Sequence, residues 1–173
     1  EAKLNDMVRV GTERLANMQN RDGGWGWFSG EREQSYVHTT AVVVRGLMIA
    51  EKNGVTIPHD TIKRGMDWLE KYQLRELRKL QNAASKTDPW KAYVDNEDVL
   101  VCSVLADGKT WNREMITLLY DQREHLSVSS LALLGIAFDN LGKTEQRDMF
   151  LRNVDQYLVT DPENQSAHLR LPN

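Results

Sequence analysis

Apolar residues recur along most of this chain at helical spacing, but in two distinct ways. In Lys3–Asn20 the positions Leu4, Met7, Val8, Leu15 and Met18 form one stripe, with Lys3, Asp6, Arg9 and Glu13 elsewhere. Asp60–Gln81 is striped in the same way, through Ile62, Met66, Leu69, Leu77 and Leu80, as are Trp111–Arg123 and Thr144–Leu158. Between them lie segments that are apolar nearly all round, the pattern of a buried helix: Ser35–Asn53, Glu97–Asp107 and Ser127–Leu141. Gly54 is a natural stop for the first of these, and Pro58 a natural start for the next helix. Asp161–Asn173 lacks the period. Within it Ser166–Leu171 alternates weakly, as a short strand or an open end would.

Striped and apolar helices therefore alternate four times, the last apolar partner being absent. A simple up-down bundle would give every helix a similar stripe. Here one set of helices is to be surrounded by protein while the other faces water, which calls for two concentric layers. The expectation is an all-α fold, an α/α toroid with inner and outer helix layers forming an incomplete ring, or a curved helical-pair solenoid. Ser35–Asn53 and Ser127–Leu141 are assigned to the inner layer, and Lys3–Asn20, Asp60–Gln81 and Thr144–Leu158 to the outer.

Composition narrows the class. At 173 residues the chain is about one domain of roughly 100–200 residues, and residues 1–173 are expected to be a single-domain piece of a larger chain, since the helical pattern opens without a Met. Glycine and proline number only 11 and 4, against a turn-dense sandwich or barrel. The net charge of −3 offers no basic footprint for a phosphate backbone, so no nucleic-acid partner is expected. The longest apolar run, Leu131–Phe138, falls far short of the ~18 residues of a membrane span. Cys102 is the lone cysteine, which excludes an internal disulfide and a cysteine-based zinc cage.

The joints between striped and apolar helices are rich in tryptophan. The first reads Met18-Gln-Asn-Arg-Asp22-Gly23-Gly24-Trp25-Gly26-Trp27-Phe28; the second carries Asp88-Pro89-Trp90 and Tyr93; Asp161-Pro162 follows the last striped helix. Asn20 and the glycines permit positive φ at a helix end, and Asp22 can bind backbone amides in a turn. The plainer reading is that Trp25 and Trp27 cover helix ends and wedge the layers apart. The sharper one is an aromatic platform, with Trp90, for a sugar or isoprenoid.

The stretch from Met7 to Asn53, with this Gly-Gly-Trp-Gly-Trp string and Thr39-Thr-Ala-Val-Val-Val-Arg-Gly-Leu47, resembles the thioester-domain region of bacterial alpha-2-macroglobulin-like proteins. The resemblance implies an α/α toroid within a secreted or periplasmic protease trap, whose partners are other domains of the parent chain and target proteases. The family's reactive centre is a Cys–Gly–Glu–Gln motif, which lies upstream of the matching segment. No such string occurs here; Gly30-Glu31-Arg32-Glu33-Gln34 has no preceding cysteine. Cys102 precedes Ser103-Val104 in an apolar helix, the setting of an inert buried thiol.

Other candidate chemistry has a bland explanation nearby. Asp95-Asn96-Glu97-Asp98 resembles the Asp-x-Asp-Asp motif of terpene cyclases with a Glu in third place, yet it opens a helix, where acidic residues favour the dipole and should be wet and ionised. His38 does not match the histidine that assists acyl transfer in the family. His59, His125 and His168 lack metal-ligand spacing, and no cofactor or metal is expected. Asn164-Gln165-Ser166 is a formal sequon, and Arg75–Lys79 and Glu145–Asp148 read as solvated faces. Three functions follow from these features: a non-catalytic scaffold in an alpha-2-macroglobulin-like endopeptidase inhibitor, a terpenoid cyclase-like or polysaccharide-active toroid enzyme, or a generic helical-repeat binding module.

Overall fold

The computed structural model describes residues 2–28, 33–58, 60–83 and 85–171. His59 and Gly30–Arg32 lie outside these, so the readings made of them are not addressed. The described residues form seven α-helices: α1 Ala2–Asn17, α2 Val37–Lys52, α3 Thr61–Ala83, α4 Asn96–Asp107, α5 Arg113–Asp121, α6 Val128–Asn140 and α7 Thr144–Asp155. The chain is mostly helical, and each helix falls within a few residues of the segment expected for it.

Local chemistry sets the helix ends. The Asp95 side chain accepts from the Glu97 and Asp98 N–H groups while Asp98 accepts from the Asp95 N–H, a reciprocal capping box that starts α4. Asn112 caps α5 through the Met115 N–H, and Ser127 caps α6 through that of Ser130. The three apolar helices end alike. After α2, Gly54 N–H donates to Glu51 and Val55 N–H to Ala50; after α6, Gly142 donates to Asp139 and Lys143 to Phe138. After α4 the same pair runs from Lys109 to Ala106 and from Thr110 to Leu105. These are Schellman motifs. Their left-handed position is held by Gly54 and Gly142, and by Lys109 at φ 62°.

The apolar helices are neighbours: α4 packs between α2 and α6. Of the striped helices, α3 lies on α2 and α4, α5 on α4 and α3, and α7 on α6. Asp107 at the end of α4 ties the row together, accepting from Asn140 of α6 at 2.6 Å and pairing with Arg45 of α2 at 3.5 Å. Burial is uneven within the row. Val99 and Val101–Ala106 of α4 are buried throughout, whereas α2 leaves Val42 and Ile49 about half exposed and α6 leaves Ile136 so. The all-round apolar pattern thus marks α4 as enclosed and gives α2 and α6 an open stripe.

The end of the chain departs from the helical expectation. The last helix stops at Asp155, and Leu158, read as its final inward residue, begins a strand. β1 Leu158–Asp161 pairs antiparallel with β2 Ser166–Leu169, in the register Leu158 with Leu169 and Asp161 with Ser166. The formal sequon lies in the turn, where Asp161 accepts from Asn164 and Glu163.

Candidate functional site

The Trp-rich joint is built from the backbone outward. Gly23 has φ 98°, and a Cβ there would stand 2.6 Å from the Arg64 carbonyl oxygen, so only glycine fits both the turn and the close approach to α3. The turn is closed by Gly23 N–H to Asn20 and Asn20 N–H to Gly24. Asp22 Oδ1 accepts from the Ser35 hydroxyl at 2.7 Å and from the Gly24 N–H at 3.1 Å; Oδ2 accepts from the Trp68 indole at 2.9 Å. Partial burial pushes the Asp22 carboxyl upward, but these donors together hold it below the ordinary carboxylate value. Gln19 Nε2 bonds the carbonyls of Gly23 and Thr61, which fastens the turn to α3.

Trp25 is the centre of this joint, 1% exposed. Its indole N–H donates to the Leu15 carbonyl of α1 at 2.7 Å, and its backbone N–H donates to the Thr40 hydroxyl of α2 at 2.9 Å. On the α3 side a Cβ on Gly65 would meet the Trp25 ring at 2.9 Å and the Val44 side chain closer still. Three helices thus close on one ring. Trp27 and Phe28 are placed differently, 69% and 74% exposed, with the Trp27 ring tilted against Tyr36 at 6.3 Å. Trp90 is 90% exposed and far from any wedge position. The tryptophans of the joint therefore do not share one environment: Trp25 is enclosed, whereas Trp27 is mostly in solvent and leans on Tyr36, the residue that opens α2.

A second cluster was not visible in the sequence. Lys91 Nζ sits 3.1 Å from Glu76 of α3, 2.7 Å from Asp95 and 2.8 Å from Asp98, and Lys79 meets Glu76 at 2.7 Å. Asp98 is buried, which corrects the expectation of a wet, solvated carboxylate at a helix start. Burial raises its carboxyl, opposed by the Lys91 bonds; Glu76, raised by burial, is lowered overall by Lys79 and Lys91. Lys91, despite its own desolvation, is held above the usual ammonium range by Asp95 and Asp98. Both Asp98 oxygens accept hydrogen bonds, from Lys91 and from the Asp95 N–H. A carboxylic acid kept protonated for donation relies on an apolar site or a neighbouring like charge, whereas the Lys91 ammonium beside Asp98 works against its protonation. Cys102, one turn further, is buried, and burial pushes its thiol up to about 12.

No family model matches the chain. The alpha-2-macroglobulin of Thermotoga maritima is 30% identical over 69 residues, which are 40% of this chain and 4% of that protein. In fold, the native alpha-2-macroglobulin of Escherichia coli, solved from domain MG7 to its C-terminus, matches 95% of this chain and 25% of that one, with a TM-score of 0.68 at 22% identity. The Salmonella alpha-2-macroglobulin reacted with methylamine matches 91% of this chain and 10% of that one, at a TM-score of 0.67 and 21% identity. The chain spans a small part of each relative. In sequence over one stretch and in fold over nearly its whole length, this chain is alpha-2-macroglobulin-like, similar to one region of the bacterial alpha-2-macroglobulins.

Proposed function

We propose that this chain is a non-catalytic scaffold, part of a thioester-type α/α toroid in an extracytoplasmic endopeptidase inhibitor that traps proteases in bacterial defence. The observation that carries the reading is the 30% identity over 69 residues with the Thermotoga maritima protein, joined to the fold likeness over 95% of the chain. The row α2–α4–α6 supports reading these helices as an arc of an inner ring, each ending in the same motif, with α3, α5 and α7 outside. On that reading the open stripe of α2, His38, Val42 and Ile49, faces the ring interior together with Ile136 of α6. The partners are then the other domains of the parent chain and the proteases it captures. No helix among the described residues is long and apolar enough to cross a membrane.

Methylamine tests whether this chain carries a thioester of its own, because it opens an activated thioester and leaves ordinary amides alone. Intact-mass measurement of this chain after methylamine treatment is expected to show no added mass and no newly titratable thiol. An adduct on a Gln together with a released Cys102 thiol overturns the reading. Trapping is tested on the parent protein. A protease held inside a trap still cleaves small peptides but loses its activity on large protein substrates, and equal loss or retention of both activities counts against the proposal.

A further inference from the structure

Between residues 71 and 86 the chain carries Lys71, Arg75, Arg78, Lys79 and Lys86 against a single acid, Glu76, in a molecule whose net charge is −3. Glu76 is buried and committed to Lys79 and Lys91, so it gives the outer surface little charge. Lys71, Arg75 and the Arg78–Lys79 pair are exposed and recur at helical spacing on one face of α3, where like charges oppose each other. The stripe ends in a groove of about 150 Å³ lined by Arg78, Lys79, Asn82, Lys86, Pro89 and Trp90; Asp88 does not line it. Trp90 is 90% exposed. Neither the Arg78 guanidinium nor the Lys86 ammonium has an ion-pair partner among the described residues. A solvated face accounts for the charges alone, but Arg and Trp together are the residue types on which protein interfaces concentrate their binding energy. We propose that this groove docks an acidic polypeptide segment in which carboxylates flank one apolar or aromatic side chain. The inference is independent of the trapping role.

The chemistry of the wall selects the partner. The Arg78 fork matches a carboxylate through two parallel hydrogen bonds, and Lys86 adds a second cation as a point charge. Asn82 donates through Nδ2 to the Arg78 carbonyl, which leaves its Oδ1 to accept from a peptide N–H. The Trp90 ring, beside Pro89, gives an apolar side chain a face to lie on. A phosphodiester backbone has no donor for Asn82, and stacking of successive bases needs a series of rings where this groove presents one. A long polyanion or an anionic bilayer also meets the net negative charge of the whole molecule. A short acidic segment meets only the local basic stripe. The volume lies below the ~300–1,000 Å³ of small-molecule pockets and suits a single side chain.

The test is a titration of the isotopically labelled chain with two blocked synthetic peptides, one carrying glutamates on both sides of a single phenylalanine, the other glutamines in their place. Oligothymidylate and phosphatidylglycerol vesicles are the competing polyanions. The expected result is a saturable shift of the Trp90 indole N–H signal with the glutamate peptide and none with the glutamine peptide. Its affinity should fall as salt rises above about 0.1 M, where charges are screened beyond about 10 Å. Arg78→Glu, Lys86→Glu and Trp90→Ala change exposed side chains and keep the fold, which far-ultraviolet helicity verifies. Each is expected to bind the glutamate peptide about tenfold more weakly or worse. Arg152→Glu, an exposed position on α7, makes the same change in net charge and is expected to alter binding little. Absence of a Trp90 shift with the glutamate peptide or an equal response to the glutamine peptide overturns the proposal. So does tighter binding of oligothymidylate or vesicles, unchanged affinity in Trp90→Ala, or an equal loss in Arg152→Glu and Arg78→Glu.

Discussion

Trp25 and Trp27 are two residues apart with the same side chain, and their energetic roles are opposite. Trp25 fills the space between α1, α2 and α3, where Gly65 has given up its side chain to make room. Trp27 is mostly in solvent. Trp25→Ala is therefore expected to cost about 3–5 kcal/mol, as truncation of a large core aromatic does. Trp27→Ala is expected to fall within about 0.5 kcal/mol of zero, as surface changes usually do. Thermal melts of the two single variants check this, and comparable losses in both would contradict the placement of Trp27. The identity of the joint was legible in the Gly-Gly-Trp string; which tryptophan points inward was not. The determinants are Gly65 and Thr40, which lie on α3 and α2 and carry no signal in the string itself.

Among the elements, helix periodicity was the reliable guide because each helix buries a face it must encode. It also explains the misreadings. The stripe of Thr144–Leu158 runs through Leu158 without a break, yet the chain leaves the helix at Asp155, and Arg170 N–H finds the Tyr157 carbonyl at 2.8 Å to align the hairpin. A four-residue strand with a mostly exposed face leaves little hydrophobic pattern to read. The Lys91 cluster was hidden for another reason: Glu76, Lys91 and Asp98 come from α3, an aperiodic connection and α4, and only the fold joins them. Lys91→Met leaves two buried carboxylates without their shared cation and is expected to cost about 3–5 kcal/mol at pH 7. In the variant Lys79 still holds Glu76, but burial and the nearby Asp95 raise the Asp98 carboxyl with no cation to oppose them, so the folded state takes up a proton there more readily than the unfolded chain. Its stability should then rise as pH falls from about 7 toward 5, by the linkage of proton uptake to folding. In the parent chain no such gain is expected, because Glu76, lowered, and Asp98, raised, act in opposite directions. Urea unfolding of both proteins at the two pH values measures the difference; a deficit that stays the same at both would mean that water already solvates the carboxylates.

At the scale of the whole molecule, the buried residues form two clusters that share two helices: α3, which gives Met66 and Leu69 to one and Leu77 and Leu80 to the other, and α4. Trp25, Leu47 and Leu69 belong to the first and Leu119, Phe138 and Phe150 to the second, while α4 supplies Val101, Val104 and Leu105 to one and Val99 and Cys102 to the other. A chain above about 150 residues commonly populates intermediates, and two cores invite a division into two units. The sharing of α4 argues otherwise, since its two faces cannot be released separately without breaking the helix that carries both. Cys102 reports one core: it is buried, its thiol is pushed up to about 12, and it cannot be labelled at pH 8 until that core opens. Trp25 and Trp68 report the other, in a variant with Trp27, Trp90 and Trp111 replaced by Phe. The expected outcome is that the denaturant midpoints for Cys102 labelling, tryptophan fluorescence and far-ultraviolet helicity coincide, as they do for a single cooperative transition. Labelling of Cys102 at denaturant concentrations where Trp25 and Trp68 remain buried would show that the second core opens alone and that α4 does not couple the two.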